Sequence, residues 1–317
     1  MIRLRSRLAA ALLALGVLTA APASAADKLT VMLEWFVNPD HAPLVVAKEM
    51  GLFAKHGLDV ELIPPADPSA PPRLVAAGQA DIALHYQPSL IVDQKNGVPL
   101  MRFGTLVETP LNTVMVLKDG PVKTLADLKG KRIGYSTVGV EDAVLTQMLK
   151  SAGLSAGDVE LVNVNFALTA SLISGNVDAT IGAYRNFELT QLKLEGREGL
   201  AFFPEEHGVP AYDELIYITA SDKIADPRLP RFLDAVEEAT LFLTNHPAEA
   251  LQLFLKAYPD LDDELNRTAF ADTLPRFAKR PGALDIARET RFLGFMKQAG
   301  LIDTVPAIAS YAVELKR

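Results

Sequence analysis

Cysteine is absent from all 317 residues, tryptophan occurs once and histidine only five times. The first absence excludes a disulfide framework and a thiolate metal centre. An ordinary packed core must hold the chain, and an apolar content of 49% can supply one. It also removes the thiol on which a bacterial lipid anchor is built. The five histidines, at 41, 56, 85, 207 and 246, lack the His-x-x-x-His or His-Glu-x-x-His spacing that sets metal ligands on one helical face. There is no Gly-x-Ser-x-Gly, no Gly-Lys-Ser/Thr phosphate loop and no dinucleotide fingerprint, so nothing points to a hydrolase, a nucleotide-driven enzyme or a resident metal or cofactor. No apolar run reaches the roughly 20 residues of a membrane-spanning helix.

What is present begins with an export pattern. Arg3, Arg5 and Arg7 precede an uncharged run from Leu8 to Ala21, and Pro22-Ala23-Ser24-Ala25 then leads into Ala26-Asp27. This basic, apolar and small-residue order predicts a cleavable secretory signal over residues 1–25. Its loss removes three Arg and no acid, which moves the formal net charge from −8 to −11. So acidic a surface argues against nucleic acid or anionic lipid as a partner. A soluble protein of a Gram-negative periplasm is expected, and nothing requires more than a monomer.

From Lys28 to about Asp222, short β-branched runs alternate with helix-length amphipathic stretches, the pattern of an α/β protein with mostly parallel sheets. Strands are expected near 29–34, 58–63, 81–85 and 100–106, and again near 113–118, 131–135, 159–163, 178–183 and 215–219. Helical spacing marks 44–55, 72–77, 88–95, 141–152, 167–174 and 187–195, and after Ser221 the pattern is almost purely helical through 230–245, 247–257, 264–277, 286–299 and a piece near 306–315. One internal similarity organises this. Asp59-Val60-Glu61-Leu62 followed by Asp81 recurs as Asp158-Val159-Glu160-Leu161 followed by Asp178, with offsets of 99 and 97 residues. Two equivalent lobes follow: 26–112 with 218–317, and 113–217, the late helices covering the first. The expected hinges are the crossings Asn112–Val116 and Glu214–Thr219.

Open α/β sheets bind ligands at the C-terminal ends of their strands. There the sequence places Glu34-Trp35-Phe36-Val37-Asn38-Pro39-Asp40-His41, His85-Tyr86-Gln87-Pro88-Ser89, Gly134-Tyr135-Ser136-Thr137 and Ala183-Tyr184-Arg185-Asn186-Phe187-Glu188. Aromatic faces at Trp35, Tyr86 and Tyr184 suit a flat ring, and Asn38, Asn186 and Glu188 could read its edge. Arg185 is the one candidate for an anion.

These segments, together with Pro64-Pro65-Ala66-Asp67-Pro68-Ser69 and Leu106-Val107-Glu108-Thr109-Pro110-Leu111-Asn112-Thr113, resemble the NMT1/THI5-like family from about Leu29 to Leu301. The likeness is greatest to its bacterial importer branch, the ThiY-type receptors for thiamine pyrimidine precursors. The resemblance implies a two-lobe periplasmic-binding fold that passes N-formyl-4-amino-5-aminomethyl-2-methylpyrimidine, or a related aminopyrimidine, to the membrane permease of an ABC importer. It implies ligand contacts from Trp35, Asn38, His41, Tyr86, Glu108, Ser136, Tyr184, Asn186 and Glu188. The same fold also serves receptors for alkanesulfonates and nitrate. The family's eukaryotic branch is an enzyme that makes the pyrimidine with its own lysine, histidine and iron-binding cysteines. The positions aligned with that lysine and histidine are His85 and Ser89, and the cysteine motif would fall at about Val209–Asp213, which has no cysteine. These departures point to a receptor without catalytic residues.

Overall fold

A computed structural model describes residues 26–137 and 140–317; the expected signal segment, 1–25, lies outside the described residues. Among the described residues ten strands form two sheets: β1 (Asp27–Met32), β2 (Leu58–Ile63), β3 (Ile82–His85), β4 (Leu100–Val107), β5 (Asn112–Leu117), β6 (Arg132–Tyr135), β7 (Glu160–Asn163), β8 (Ala179–Tyr184), β9 (Gly199–Phe202) and β10 (Leu215–Ala220). The first sheet has the order β2-β1-β3-β10-β4 and the second β7-β6-β8-β5-β9. In each, the first three strands are parallel, and the fourth runs antiparallel to both of its neighbours. That fourth strand is the one by which the chain has just crossed: β5 enters the second sheet after β4, and β10 returns to the first after β9. β10 belongs to the first sheet along its whole length, so Leu215, Ile216 and Tyr217 pair there.

The repeated aspartates explain the similarity noted in the sequence. Asp81, just before β3, accepts the backbone N–H of Thr30 in β1 at 2.8 Å. Asp178, just before β8, accepts that of Arg132 in β6 at 2.9 Å. Each carboxylate thereby pins the start of one parallel pairing, at matching places in the two sheets.

Helices flank both sheets, and the long Arg228–Asn245 helix packs its apolar face on the first. Its Phe232 stacks on Phe53 with centroids 5.5 Å apart and meets Tyr217 edge-on at 5.2 Å. Among the described residues no helix is long and apolar enough to cross a membrane.

The differences from the sequence expectation have local causes. The stretch 44–55 divides into Ala42–Glu49 and Leu52–Lys55 because Gly51 takes φ +68°, the left-handed conformation that glycine tolerates. The helix expected to run to Phe277 stops at Thr273, and a 3₁₀ turn follows in which Pro275 has no N–H to give. The piece near 306–315 is a single 3₁₀ turn, Ile308–Ser310. β9 was not expected: it is a four-residue edge strand, half-buried throughout, without the alternation that marks a longer strand.

The Glu264–Thr273 helix matters to the site, because its last residue, Thr273, donates to Asp40 and accepts from Asn186. Its N-cap Asp263 accepts the backbone N–H of Asn266 at 2.8 Å. Asp263→Ala is expected to destabilise the protein by about 1 kcal/mol, as a lost N-cap does, measurable as a shifted urea midpoint with an unchanged slope.

Candidate ligand-binding cleft

The C-terminal ends of β1, β3, β6 and β8 face one another across the gap between the sheets. At the end of β1, Asn38 starts a 3₁₀ turn, its side chain accepting the N–H of Asp40 at 2.8 Å. The turn brings His41 back towards the strand. Its Nδ1 accepts the Asn38 N–H at 3.2 Å, which puts the ring proton on Nε2, and Nε2 then donates to both oxygens of Glu34 at 3.0 Å. His41 is fully buried behind Glu34. Its place is to aim that carboxylate.

Trp35 projects beyond the strand and meets Phe166 of the opposite side edge-on, with centroids 4.6 Å apart. Phe166 follows Asn165, whose φ of +51° turns the loop towards the cleft. A second contact across the gap is polar and buried. Asn186, after β8, donates to Asp40 at 2.7 Å and to Thr273 at 2.6 Å.

Between these contacts lies a cavity open at its mouth, lined by residues from both sheets. Of the expected residues, Trp35, Asn38, Tyr86, Ser136, Tyr184 and Glu188 line it. His41 and Asn186 stand one layer behind, supporting Glu34 and Asp40. Glu108 falls outside: β4 ends at Val107, and Glu108 is on the exposed turn beyond, its backbone bonded to Arg276 and Arg288. Arg185 is also turned away, with its guanidinium paired to Glu205 and placed 4.3 Å over the ring of Phe203.

Several lining residues were not singled out from the sequence. Glu34 and Asp40 come from the first loop, and Asn112, Gly182 and Glu214 form the floor, where the chain crosses between the sheets. Gly182 is a bulge in β8, skipped by the pairing with β5, at a φ of +96° that only glycine adopts without strain. Its N–H donates to the Asn112 side chain at 2.9 Å. Glu214 is fully buried, and its Oε2 accepts the N–H groups of Leu111 (2.6 Å) and Asn112 (3.0 Å) and the hydroxyl of Tyr212 (3.1 Å). A signal existed for Asn112 and Glu214, since both are polar residues at the expected crossings.

The electrostatics are one-sided. Four carboxyl groups, Glu34, Asp40, Glu188 and Glu214, line the cavity, and none of the described lining residues is Lys or Arg. Removal from water disfavours the charged form of each unpaired acid. Burial pushes Asp40 up to about 6, Glu214 up to about 7 and Glu188 up to about 8, against the hydrogen bonds each receives. Glu188 opens a helix and accepts the Tyr184 N–H at 2.6 Å. At neutral pH it is mostly a protonated acid that can donate a hydrogen bond. Among the described residues no group of acids and histidines is placed to hold a metal ion. The cavity therefore suits a small flat molecule with N–H donors and ring nitrogens, and its described lining offers an anion no cationic side chain.

Comparison with known proteins places the chain in a family and a fold. The family model for NMT1/THI5-like proteins matches residues 38–250. A Haemophilus influenzae protein named for thiamine biosynthesis is 50% identical over 95% of this chain and 96% of its own. The formylaminopyrimidine-binding protein of Halalkalibacterium halodurans is 37% identical over 75% of this chain and 72% of its own. A more distant relative, at 26% identity over 82% of this chain and 83% of its own, is the 4-amino-5-hydroxymethyl-2-methylpyrimidine phosphate synthase of Legionella pneumophila. Among solved structures, the alkanesulfonate-binding protein of Xanthomonas axonopodis superposes with a TM-score of 0.71 at 18% identity, covering 90% of this chain and 98% of that one. The fold is thus that of the periplasmic binding proteins, two mixed sheets flanked by helices.

Proposed function

This chain belongs to the NMT1/THI5-like family, and from that premise we propose that it is an exported receptor that binds an aminopyrimidine thiamine precursor between two lobes and delivers it to an ABC permease. The observation that carries this reading is the cavity wall: four carboxyl groups, no lysine or arginine among the described lining residues, and aromatic faces at Trp35, Tyr86 and Tyr184. A sulfonate or nitrate receptor of the same fold needs cationic groups or a row of free N–H donors where this cavity has acids. An aminopyrimidine needs the reverse. Its ring lies against aromatic faces, its amine donates to a carboxylate, and its ring nitrogens accept from Asn112 or from protonated Glu188.

We take the two sheets as the lobes; because the expected hinges Asn112–Val116 and Glu214–Thr219 fall almost wholly within β5 and β10, the hinge moves to the segments that lead into them, joining β4 to β5 and β9 to β10. Trp35 on Phe166 and Asn186 on Asp40 are the closing contacts. His85 and Ser89 occupy the positions where the resemblance puts the synthase lysine and histidine, and His85 is engaged by Asp93 at 2.9 Å. We infer binding without bond-making. The predicted signal at 1–25 and the family's importer members support a periplasmic address.

Calorimetry of the purified protein against the formylaminopyrimidine, its hydroxymethyl analogue, thiamine, taurine and nitrate tests the reading. An aminopyrimidine is expected to bind, and taurine and nitrate to give no heat. Binding of taurine or nitrate together with silence towards every pyrimidine would overturn it.

A further inference from the structure

Two of the cavity-lining residues are also the residues of the crossings, and their free atoms form a complementary pair. Asn112 begins β5 and Glu214 immediately precedes β10, so they stand on opposite crossings between the sheets. Each has one end already committed. The Asn112 carbonyl oxygen accepts the Gly182 N–H at 2.9 Å, which leaves the amide nitrogen as the free end. Glu214 spends Oε2 on Leu111, Asn112 and Tyr212, which leaves Oε1. Both free atoms, Asn112 Nδ2 and Glu214 Oε1, are wholly buried without a hydrogen-bond partner, and among the four cavity carboxyls only Glu214 has such an oxygen. Buried polar atoms are almost always satisfied, so an unsatisfied donor and acceptor on two residues that line one cavity, beside the equally unpaired hydroxyl of Tyr184, call for a partner of opposite pattern. The Asn112 N–H is itself bonded to the Glu214 carboxylate at 3.0 Å, which makes the two side chains neighbours.

We propose that Asn112 and Glu214 read the amino–imine edge of the ligand, so that the choice of a 4-aminopyrimidine over its 4-oxo counterpart is made at the hinge. This rests on the aminopyrimidine reading above and adds the residues that enforce it. The exocyclic amine of a 4-aminopyrimidine donates to Oε1 of ionised Glu214, and the adjacent ring nitrogen accepts from Asn112 Nδ2. A 4-oxo pyrimidine carries a carbonyl and a ring N–H at those places, which sets acceptor against acceptor and donor against donor. Sites built to hydrogen-bond a group reject the analogue that lacks it far more strongly than apolar pockets reject a misfit in size. Because Glu214 also holds the backbone of the other crossing, the same contact ties an occupied cavity to the closed arrangement of the lobes.

The test measures affinities of the full-length purified protein for 4-amino-5-hydroxymethyl-2-methylpyrimidine and for its 4-oxo analogue. Wild type is expected to favour the amino compound by roughly 100-fold or more. Glu214→Gln can keep its carbonyl oxygen on the backbone N–H groups and turn an NH₂ to the ligand. Asn112→Asp can keep one oxygen on Gly182 and turn the other to the ligand. Each variant alone is expected to cut the amino-to-oxo ratio at least tenfold, and the double variant to invert it. A role confined to holding the fold would weaken both ligands alike and leave the ratio unchanged. Three results overturn the inference while leaving the aminopyrimidine reading intact. One is a wild type that binds both compounds equally. Another is a ratio unmoved in Glu214→Gln, and the third is a ratio unmoved in Asn112→Asp, whichever variant melts like wild type. A wild type that binds neither pyrimidine overturns both.

Discussion

Raising the pH from about 5 to about 8 is expected to lower the melting temperature of the ligand-free protein by on the order of 5–10 °C. The cause is the group of acids in the cleft. Asp40, Glu214 and Glu188 are raised from ordinary values of 3.8, 4.5 and 4.5 to about 6, 7 and 8, in each case chiefly by burial. An unfolded chain sheds these protons near pH 4, whereas the folded protein keeps them until pH 6–8. Between those limits the folded state binds more protons, so the stability these groups contribute is fully present below about pH 4 and is lost as pH rises through the folded values. Glu289, also raised mainly by burial, acts in the same direction. Surface acids with partners act oppositely but lower on the scale. Asp127, held down by the N–H groups of Lys123 and Thr124, and Asp158, held down by Ser155, lose their contribution only in more acidic solution. Differential scanning calorimetry at fixed ionic strength across pH 4–9 checks this. A melting temperature that is level or rising from pH 5 to 8 would mean that the cleft acids are already ionised in the folded protein.

The second large effect concerns Glu188. Glu188→Ala is expected to weaken aminopyrimidine binding by roughly 10- to 150-fold, about 1.5–3 kcal/mol. Alanine removes the group facing the ligand and also strands the Tyr184 N–H, which Glu188 now accepts at 2.6 Å. Glu188→Gln separates the two possible forms of the acid. If the protonated acid donates to a ring nitrogen, glutamine reproduces both of its hydrogen bonds and affinity at pH 7 stays near that of wild type. Wild-type binding then fades as pH climbs past about 8, while binding by the glutamine variant stays flat. A large loss in Glu188→Gln at pH 7 would instead identify the ionised carboxylate as the binding form. Titration calorimetry of wild type and both variants at pH 6.5 and 9 separates the outcomes.

The strand-end loops were legible because their chemistry is local. Trp35 and Asn38 stand directly after one apolar strand, and Tyr184 and Glu188 after another, and position along a parallel strand fixes which end of the sheet a loop occupies. His41 and Asn186 lay in the same loops, yet sequence order could not separate a residue that faces the cavity from one that braces it. That distinction depends on side-chain direction: the 3₁₀ turn at Pro39 swings His41 back onto Glu34, and Asn186 reaches across to Asp40 and Thr273. Glu108 misled for a related reason. It follows a strand end, but on β4, at the edge of the first sheet and away from the cleft.

By itself the sequence determined the class of the protein: an α/β chain of two matching halves, without cysteine, with an export pattern at its start and aromatic, amide-rich loops at the strand ends. These are properties of composition, periodicity and spacing, which act within a few turns of chain. Only the tertiary structure decided the character of the cavity. Glu34 and Asp40, Glu188, and Glu214 come from three stretches far apart in the chain, and Asn112 lies 102 residues from the carboxylate that accepts its N–H. The raised pKa values of Asp40, Glu188 and Glu214 and the unpaired atoms of Asn112 and Glu214 arise from burial together, a property of the assembled cleft that no local stretch of sequence carries.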